Sequence, residues 1–139
     1  MYKIEPAQAD EYMVFIPNMI ESSKADYSAL RLCKIEKLTH CGETVMMLGH
    51  RDIEFDDYPG KPFVLVCGVF SKEIKRHTRA LLQFGYDYLD SIQKYPLIAL
   101  AEKNNEVYNR FLKKFGFVFA NYVEKNLGDD IVYNVYVRC

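Results

Sequence analysis

The sequence predicts an α/β chain of the α+β kind, a mixed, mostly antiparallel sheet around a central parallel β-α-β-α unit. Three stretches of the 139 residues carry that prediction. FVLVCGVF, residues 63–70, is apolar without alternation, as a strand covered on both faces must be. After it, Ile74, Leu81, Tyr88 and Tyr95 recur every seven residues, with Leu89 and Ile92 in the adjoining row, which is the apolar stripe of an amphipathic helix. PLIALAE, residues 96–102, is a second buried strand, and a right-handed crossover through the helix sets the two strands parallel.

The remaining elements follow in chain order. Tyr2 to Glu5 reads as a short strand broken by Pro6, and Glu11, Met13, Val14 and Ile16 trace a helix that Pro17 stops or kinks. SSKADYSALRLCKIEKL, residues 22–38, reads as a second helix, with Ala29, Leu30, Cys33 and Leu38 loosely keeping the helical period. LTHCGETVMMLG then switches to two short apolar runs about Cys41-Gly42-Glu43, the mark of a hairpin turn. HRDIEFDDYPGKP, residues 50–62, is charged and reads as a loop. Ser71 is placed to cap the long helix, which runs to about Tyr95 and is closed by Pro96. Asn104 or Asn105 caps a short helix, Gly116 ends it in the left-handed conformation, and FVFANYVE, NLGDD and IVYNVYVR form a terminal hairpin. The resulting order is β-α-α-β-β-β-α-β-α-β-β.

Length fits one domain over residues 1–139, large enough to bury a core without disulfides or a structural metal. With 18 Lys+Arg against 19 Asp+Glu, the chain is not a globally basic nucleic-acid binder, and any anion site must arise from local clustering. Cys33, Cys41, Cys67 and Cys139 form no CxxC pair, and His40, His50 and His77 are dispersed, so no metal site is expected. No apolar run approaches the roughly 18 residues of a membrane span, and the expectation is a soluble protein of a reducing compartment. In the tail, Tyr122, Tyr133 and Tyr136 fit either sheet packing or an apolar face toward a partner.

The most specific motif is NEVYNRFLKKFGF, residues 105–117: an asparagine, a short basic helix, then Gly-Phe opening a strand. This motif and the element order resemble the GNAT acetyltransferase fold, in which Asn105 takes the asparagine position, Gly116-Phe117 the Gly-Phe pair, and Leu112 the place where many members carry a tyrosine. The spacing from SKEIKRHTRALLQFGYDYLD to this helix also resembles the GNAT-like small internal virion proteins of T7-like podophages. That second resemblance implies a phage protein of the host cytoplasm or the virion, with a phage or host protein as partner.

The GNAT resemblance implies acetyl-coenzyme A as ligand, its pyrophosphate held by backbone amides of a glycine-bearing loop at the start of the long helix. Here that segment is Val69 to Arg79, and the signature glycines are absent. Lys72, Lys75, Arg76 and Arg79 stand there instead, expected in the first turns of the helix, where cations oppose the dipole and a bound anion relieves them. A solvated basic face with Glu73 among it is the other reading. Val66, Cys67, Gly68, Val69 and Ser71 are the implied partners of the pantetheine arm and thioester carbonyl, while a glycine at 68 also suits a bulge. Asn105 is either a ligand to the cofactor arm or only a helix cap. Tyr108, one turn before Leu112, is the candidate proton donor, or a packing residue with a wet hydroxyl. Glu43, His50, Glu54, Asp56 and Asp57 are candidate bases by position. Two functions remain open: a GNAT-like phage protein with degenerate or lost catalysis, acting in virion assembly or host interaction, and an active N-acetyltransferase.

Overall fold

The computed structural model describes residues 1–8, 11, 32–56, 58–126 and 130–139. The helix expected at residues 11–16, apart from Glu11, and residues 22–31 of the next one lie outside the described residues, as do residues 127–129 of the final turn. The strands are β1 (Tyr2–Ala7), β2 (Lys34–His40), β3 (Glu43–Glu54), β4 (Pro62–Phe70), β5 (Leu97–Glu102), β6 (Val118–Asn126) and β7 (Asp130–Arg138). Two helices, α1 (Thr78–Ile92) and α2 (Glu106–Lys114), follow β4 and β5. The strands pair in the order β1-β2-β3-β4-β5-β7-β6. Pairing of β4 with β5 is parallel, and β1/β2, β2/β3, β5/β7 and β6/β7 are antiparallel, so the expected mixed sheet with its parallel centre is what the chain forms.

The chain divides into two compact units. The first comprises Met1–Arg51 and Cys67–Ile92. In it, β2 and β3 form a hairpin closed by Cys41 and Gly42, both at positive φ (52° and 83°), the backbone a two-residue turn needs to match strand twist. Residues 34–38 are strand where the sequence suggested helix. Ile35 and Leu38 are both buried although three residues apart, and a register shift follows Leu38. In a strand that buries side chains on both faces, that spacing imitates a helical period. On the outer side, β1 carries Pro6 within its ladder to β2 rather than stopping at it, as an edge strand permits. The core of this unit runs through Met46, Met47, Val69, Leu81, Phe84 and Leu89.

The second unit comprises Asp52–Val66 and Gln93–Cys139. Here β3 extends to Glu54, so the loop expected from His50 begins five residues later than the charge pattern indicated. Helix α2 packs on β5, and its caps are those the sequence carries. Asn105 accepts the Tyr108 N–H at 3.2 Å, Glu106 lies in the first turn, and Lys113 and Lys114 lie in the last, each complementing the helix dipole. At the other end Gly116 has φ +90°, Phe117 N–H donates to the Leu112 carbonyl at 3.0 Å and Gly116 N–H to that of Lys113 at 3.1 Å. This is a Schellman stop, which requires the left-handed backbone glycine adopts without cost.

Candidate functional site

In the first unit, the segment between β4 and α1 holds four of the nine expected cofactor residues, Ser71, Lys72, Lys75 and Arg76. Ser71 is buried, donates its N–H to the Val45 carbonyl at 2.8 Å, and accepts the Glu73 N–H on Oγ at 3.1 Å. It therefore caps a turn, and the long helix begins seven residues later. A 3-10 turn at Ile74–Arg76 intervenes, with Arg76 N–H bonded to the Glu73 carbonyl and His77 N–H to that of Ile74, each at 3.0 Å. The amides of residues 71, 73, 76 and 77 are thus engaged within the protein. The first N–H groups of α1, from Thr78 on, have no intrahelical acceptor by the geometry of any helix start.

The basic cluster is correspondingly relocated. Lys72, Lys75 and Arg76 are exposed and lie before the helix, and only Arg79 falls in its first turn, so the expected clash of four cations with the dipole is largely avoided. Arg76 reaches Glu73 at 3.4 Å in an exposed pair, an arrangement of little energetic weight. Along β4, Val69 is buried, and Cys67 and Gly68 are half-buried. A Cβ added at Gly68 would lie 2.9 Å from Leu48 Cδ2, so the glycine admits its neighbour's side chain.

The same unit contains a cluster that sequence reasoning did not assemble. His50 Nδ1 lies 2.6 Å from the Tyr88 hydroxyl, which also reaches the Lys34 carbonyl at 3.4 Å. Burial, then the neighbouring Glu36, Cys33 and Cys67, push the Tyr88 ionisation well above its ordinary value. A hydrogen bond from Cys67, aided by Arg51 and opposed by burial, holds the Cys33 thiol below its usual range.

In the second unit, Val66 is buried on β4 and is the last residue of its ladder to β5, opposite Ala99. Asn105 is buried as the cap of α2, and Tyr108 is half-buried with its hydroxyl oxygen shielded from solvent. Between them and β7 lies Asn109, also missed from sequence. Its Nδ2 donates to the carbonyls of Glu102 (2.9 Å) and Asn105 (2.7 Å), and its Oδ1 accepts from Asn134 Nδ2 (2.8 Å) and Tyr136 Oη (2.6 Å). Tyr136 thus serves inside the sheet, not as an outward face. Among the candidate bases, Glu43, Glu54 and Asp56 are exposed, Asp57 lies outside the described residues, and His50 alone of the five is half-buried on a buried partner. Among the described residues no group of three or more His, Cys, Asp or Glu is arranged to hold a metal ion, and no helix is long and apolar enough to cross a membrane.

No family model and no curated protein sequence matches the chain. Solved structures do match over its whole length. An acetyltransferase of the GNAT family from Streptococcus pneumoniae superposes with a TM-score of 0.67 at 12% identity, covering 99% of this chain and 99% of that one. The ribosomal-protein-S18-alanine N-acetyltransferase of Escherichia coli gives 0.68 at 12% identity, over 99% and 93% of the two chains. A putative acetyltransferase of Salmonella typhimurium, solved with its cofactor acetyl-CoA, gives 0.62 at 16% identity, over 98% and 92%. At such identities the likeness is one of architecture, and the chain has the fold of the GNAT acetyltransferases.

Proposed function

We propose that the chain is an N-acetyltransferase that binds acetyl-coenzyme A along β4 and moves the acetyl group to an amine of a protein or small molecule. The observation that carries this reading is the early end of the β4/β5 ladder. It stops at Val66 and Ala99, although β4 runs on to Phe70, so the main chain of Cys67, Gly68 and Val69 lies beyond the β5 pairing. An extended arm bearing amides can pair with such a segment as a strand would. Acetyl-coenzyme A supplies the activated thioester. Lys72 and Lys75, with Arg76, are the exposed cations proposed to hold its phosphates. The Salmonella neighbour, solved with acetyl-CoA on the same fold, supports the choice of ligand.

A second reading rests on a different observation. With the amides of 71, 73, 76 and 77 spent on the chain's own turn, the backbone cradle for pyrophosphate is reduced. That favours a GNAT-like binding protein without catalysis, in the phage assembly or host-interaction role that the sequence resemblance suggests. Calorimetric titration with acetyl-CoA, repeated on Lys75→Ala/Arg76→Ala, separates the two. The enzyme reading expects binding in the wild type that weakens about tenfold, or about 1.4 kcal/mol, in the double variant. Neither heat nor a thermal shift at millimolar ligand would leave the binding-protein reading standing alone.

A further inference from the structure

We propose that Cys33 and Cys67 form a redox-reversible pair, in which a peroxide oxidises Cys33 to its sulfenic acid and Cys67 resolves it to a disulfide. Every residue that builds this site belongs to the first unit, and the proposal does not depend on the acetyltransferase reading. The sheet brings the two cysteines together. In the β2/β3 ladder Ile35 stands opposite Gly49 and Lys34 opposite His50, which puts Cys33, the residue before the ladder, level with Arg51. Ser71 N–H bonds to the Val45 carbonyl and Gly68 abuts Leu48, so β4 runs antiparallel to β3 with Cys67 opposite Gly49. Ile35, Gly49 and Cys67 thus stand level on three neighbouring strands and share a face. Gly49 has no side chain to separate β2 from β4 there, and the Cys67 S–H donates to the Cys33 sulfur. Closing the disulfide draws the sulfurs from hydrogen-bond contact to about 2 Å. Cys33 can follow, because it precedes the first ladder residue and no strand pairing has to break.

The surroundings divide the roles. A thiolate, not a thiol, attacks peroxide. The Cys67 hydrogen bond, and after it the Arg51 charge, favour that form of Cys33 against burial. Arg51 Nε is also buried with no hydrogen-bond partner among the described residues, so a donor is at hand for the oxygen that Cys33 gains. Tyr88 is a second witness to the site. Its hydroxyl reaches the Lys34 carbonyl at 3.4 Å, and its ionisation is opposed by burial, by Glu36 and by both cysteines, which sets the pair beside one phenol. Both cysteines are half-buried, open enough for a small oxidant.

In the first step the Cys33 sulfur bonds to one peroxide oxygen, the O–O bond breaks, and the other oxygen leaves as water after taking a proton. In the second, the Cys67 sulfur bonds to that of Cys33, the S–O bond breaks, and the oxygen departs as water with the Cys67 proton. Two thiols and one peroxide give one disulfide and two waters, the electron pair passing from sulfur to oxygen. A dithiol reductant returns both thiols by exchange.

The test treats the reduced full chain with hydrogen peroxide and maps its unreduced peptides by mass spectrometry. Cys41 and Cys139 are exposed, so they report what exposure alone does. The expected product joins the peptides of Cys33 and Cys67, and dithiothreitol separates them again. Cys67→Ser, without the resolving thiol, is expected to hold Cys33 as a sulfenic acid that dimedone captures, and Cys33→Ser to leave Cys67 about tenfold less oxidised than in the wild type. Arg51→Gln, which keeps both thiols, is expected to slow the bond about threefold or more. Wild-type oxidation confined to Cys41 and Cys139, with Cys33 and Cys67 still reduced, would overturn the pairing. Dimedone capture of Cys67 in Cys33→Ser as fast as that of Cys33 in Cys67→Ser would overturn the division of roles.

Discussion

Asn109 uses all four of its hydrogen-bonding positions, two carbonyls on Nδ2 and two donors on Oδ1, at a site 8% exposed. Removing such a group strands every partner, because buried donors and acceptors lose water without regaining a bond. Asn109→Ala is therefore expected to cost about 2 to 4 kcal/mol, and Tyr136→Phe, which takes away one donor, about 1 kcal/mol. Urea denaturation of both variants measures the difference, and equal losses would contradict the network's central role. His40 shows a residue-scale effect of the opposite kind. Its ring lies 4.6 Å from that of Tyr2 and 4.9 Å from that of His77, centroid to centroid. Lost solvent contact, then the N-terminal ammonium, His77 and Arg76, hold it below its ordinary value of 6.5, against the pull of Glu43. The unfolded chain thus takes up this proton at a higher pH than the folded one. Stability is full above the ordinary value and falls as pH drops through the lower folded value. His40→Gln should flatten the fall in Tm between about pH 7 and about pH 5, and identical slopes for wild type and variant would count against it.

At the scale of elements, β3 and β4 are matched by one missing side chain. Gly68→Ala places a carbon 2.9 Å from Leu48 Cδ2, and Leu48 is itself 4% exposed, so it has little room to yield. The expected loss is about 1 to 3 kcal/mol from overpacking. In a double-mutant cycle with Leu48→Ala, the combined loss should fall short of the sum by about 1 kcal/mol, since shortening Leu48 opens the space the new carbon needs. Strict additivity would place the strain elsewhere. The elements also differ in how far the sequence disclosed them. Helix α2 was legible at both ends, its start to within the pair Asn104 or Asn105, because its signals are local: Asn105 caps a backbone amide three residues away, and Gly116 closes a six-residue loop. Helix α1 was legible in its body but not its start, because the Ser71 cap belongs to a preceding turn. Strand β2 was misread because burial on both faces erased the alternation that marks a strand. The parallel centre followed from crossover handedness. What stayed hidden was nonlocal. The Asn109–Tyr136 bond spans 27 residues and the His50–Tyr88 bond spans 38, and neither leaves a periodic trace in the chain.

Over the whole molecule, 18 basic and 19 acidic residues nearly cancel, so no long-range field draws a polyanionic ligand toward the protein. On the proposed reading, the attraction for coenzyme A phosphates comes from Lys72, Lys75 and Arg76, exposed before α1, and from Arg79 in its first turn. In a site built of backbone amides, the phosphates would be held by short, directed bonds that salt hardly weakens. Here four amides of that segment are bonded within the protein, and flexible cations in water remain. Their interaction is screened over a Debye length of about 10 Å at 0.1 M salt and about 3 Å at 1 M. Acetyl-CoA affinity is accordingly expected to weaken about tenfold, or about 1.4 kcal/mol, between low and near-molar sodium chloride. Lys72→Ala/Lys75→Ala should weaken binding at low salt and flatten the dependence, because the charges being screened are then gone. The check is a calorimetric Kd series in salt on both proteins, with the ligand-free Tm recorded alongside to show that the fold itself is unaffected. Affinity independent of salt would mean that the α1 amides from Thr78 onward hold the phosphates, and that the lysines are only a solvated face.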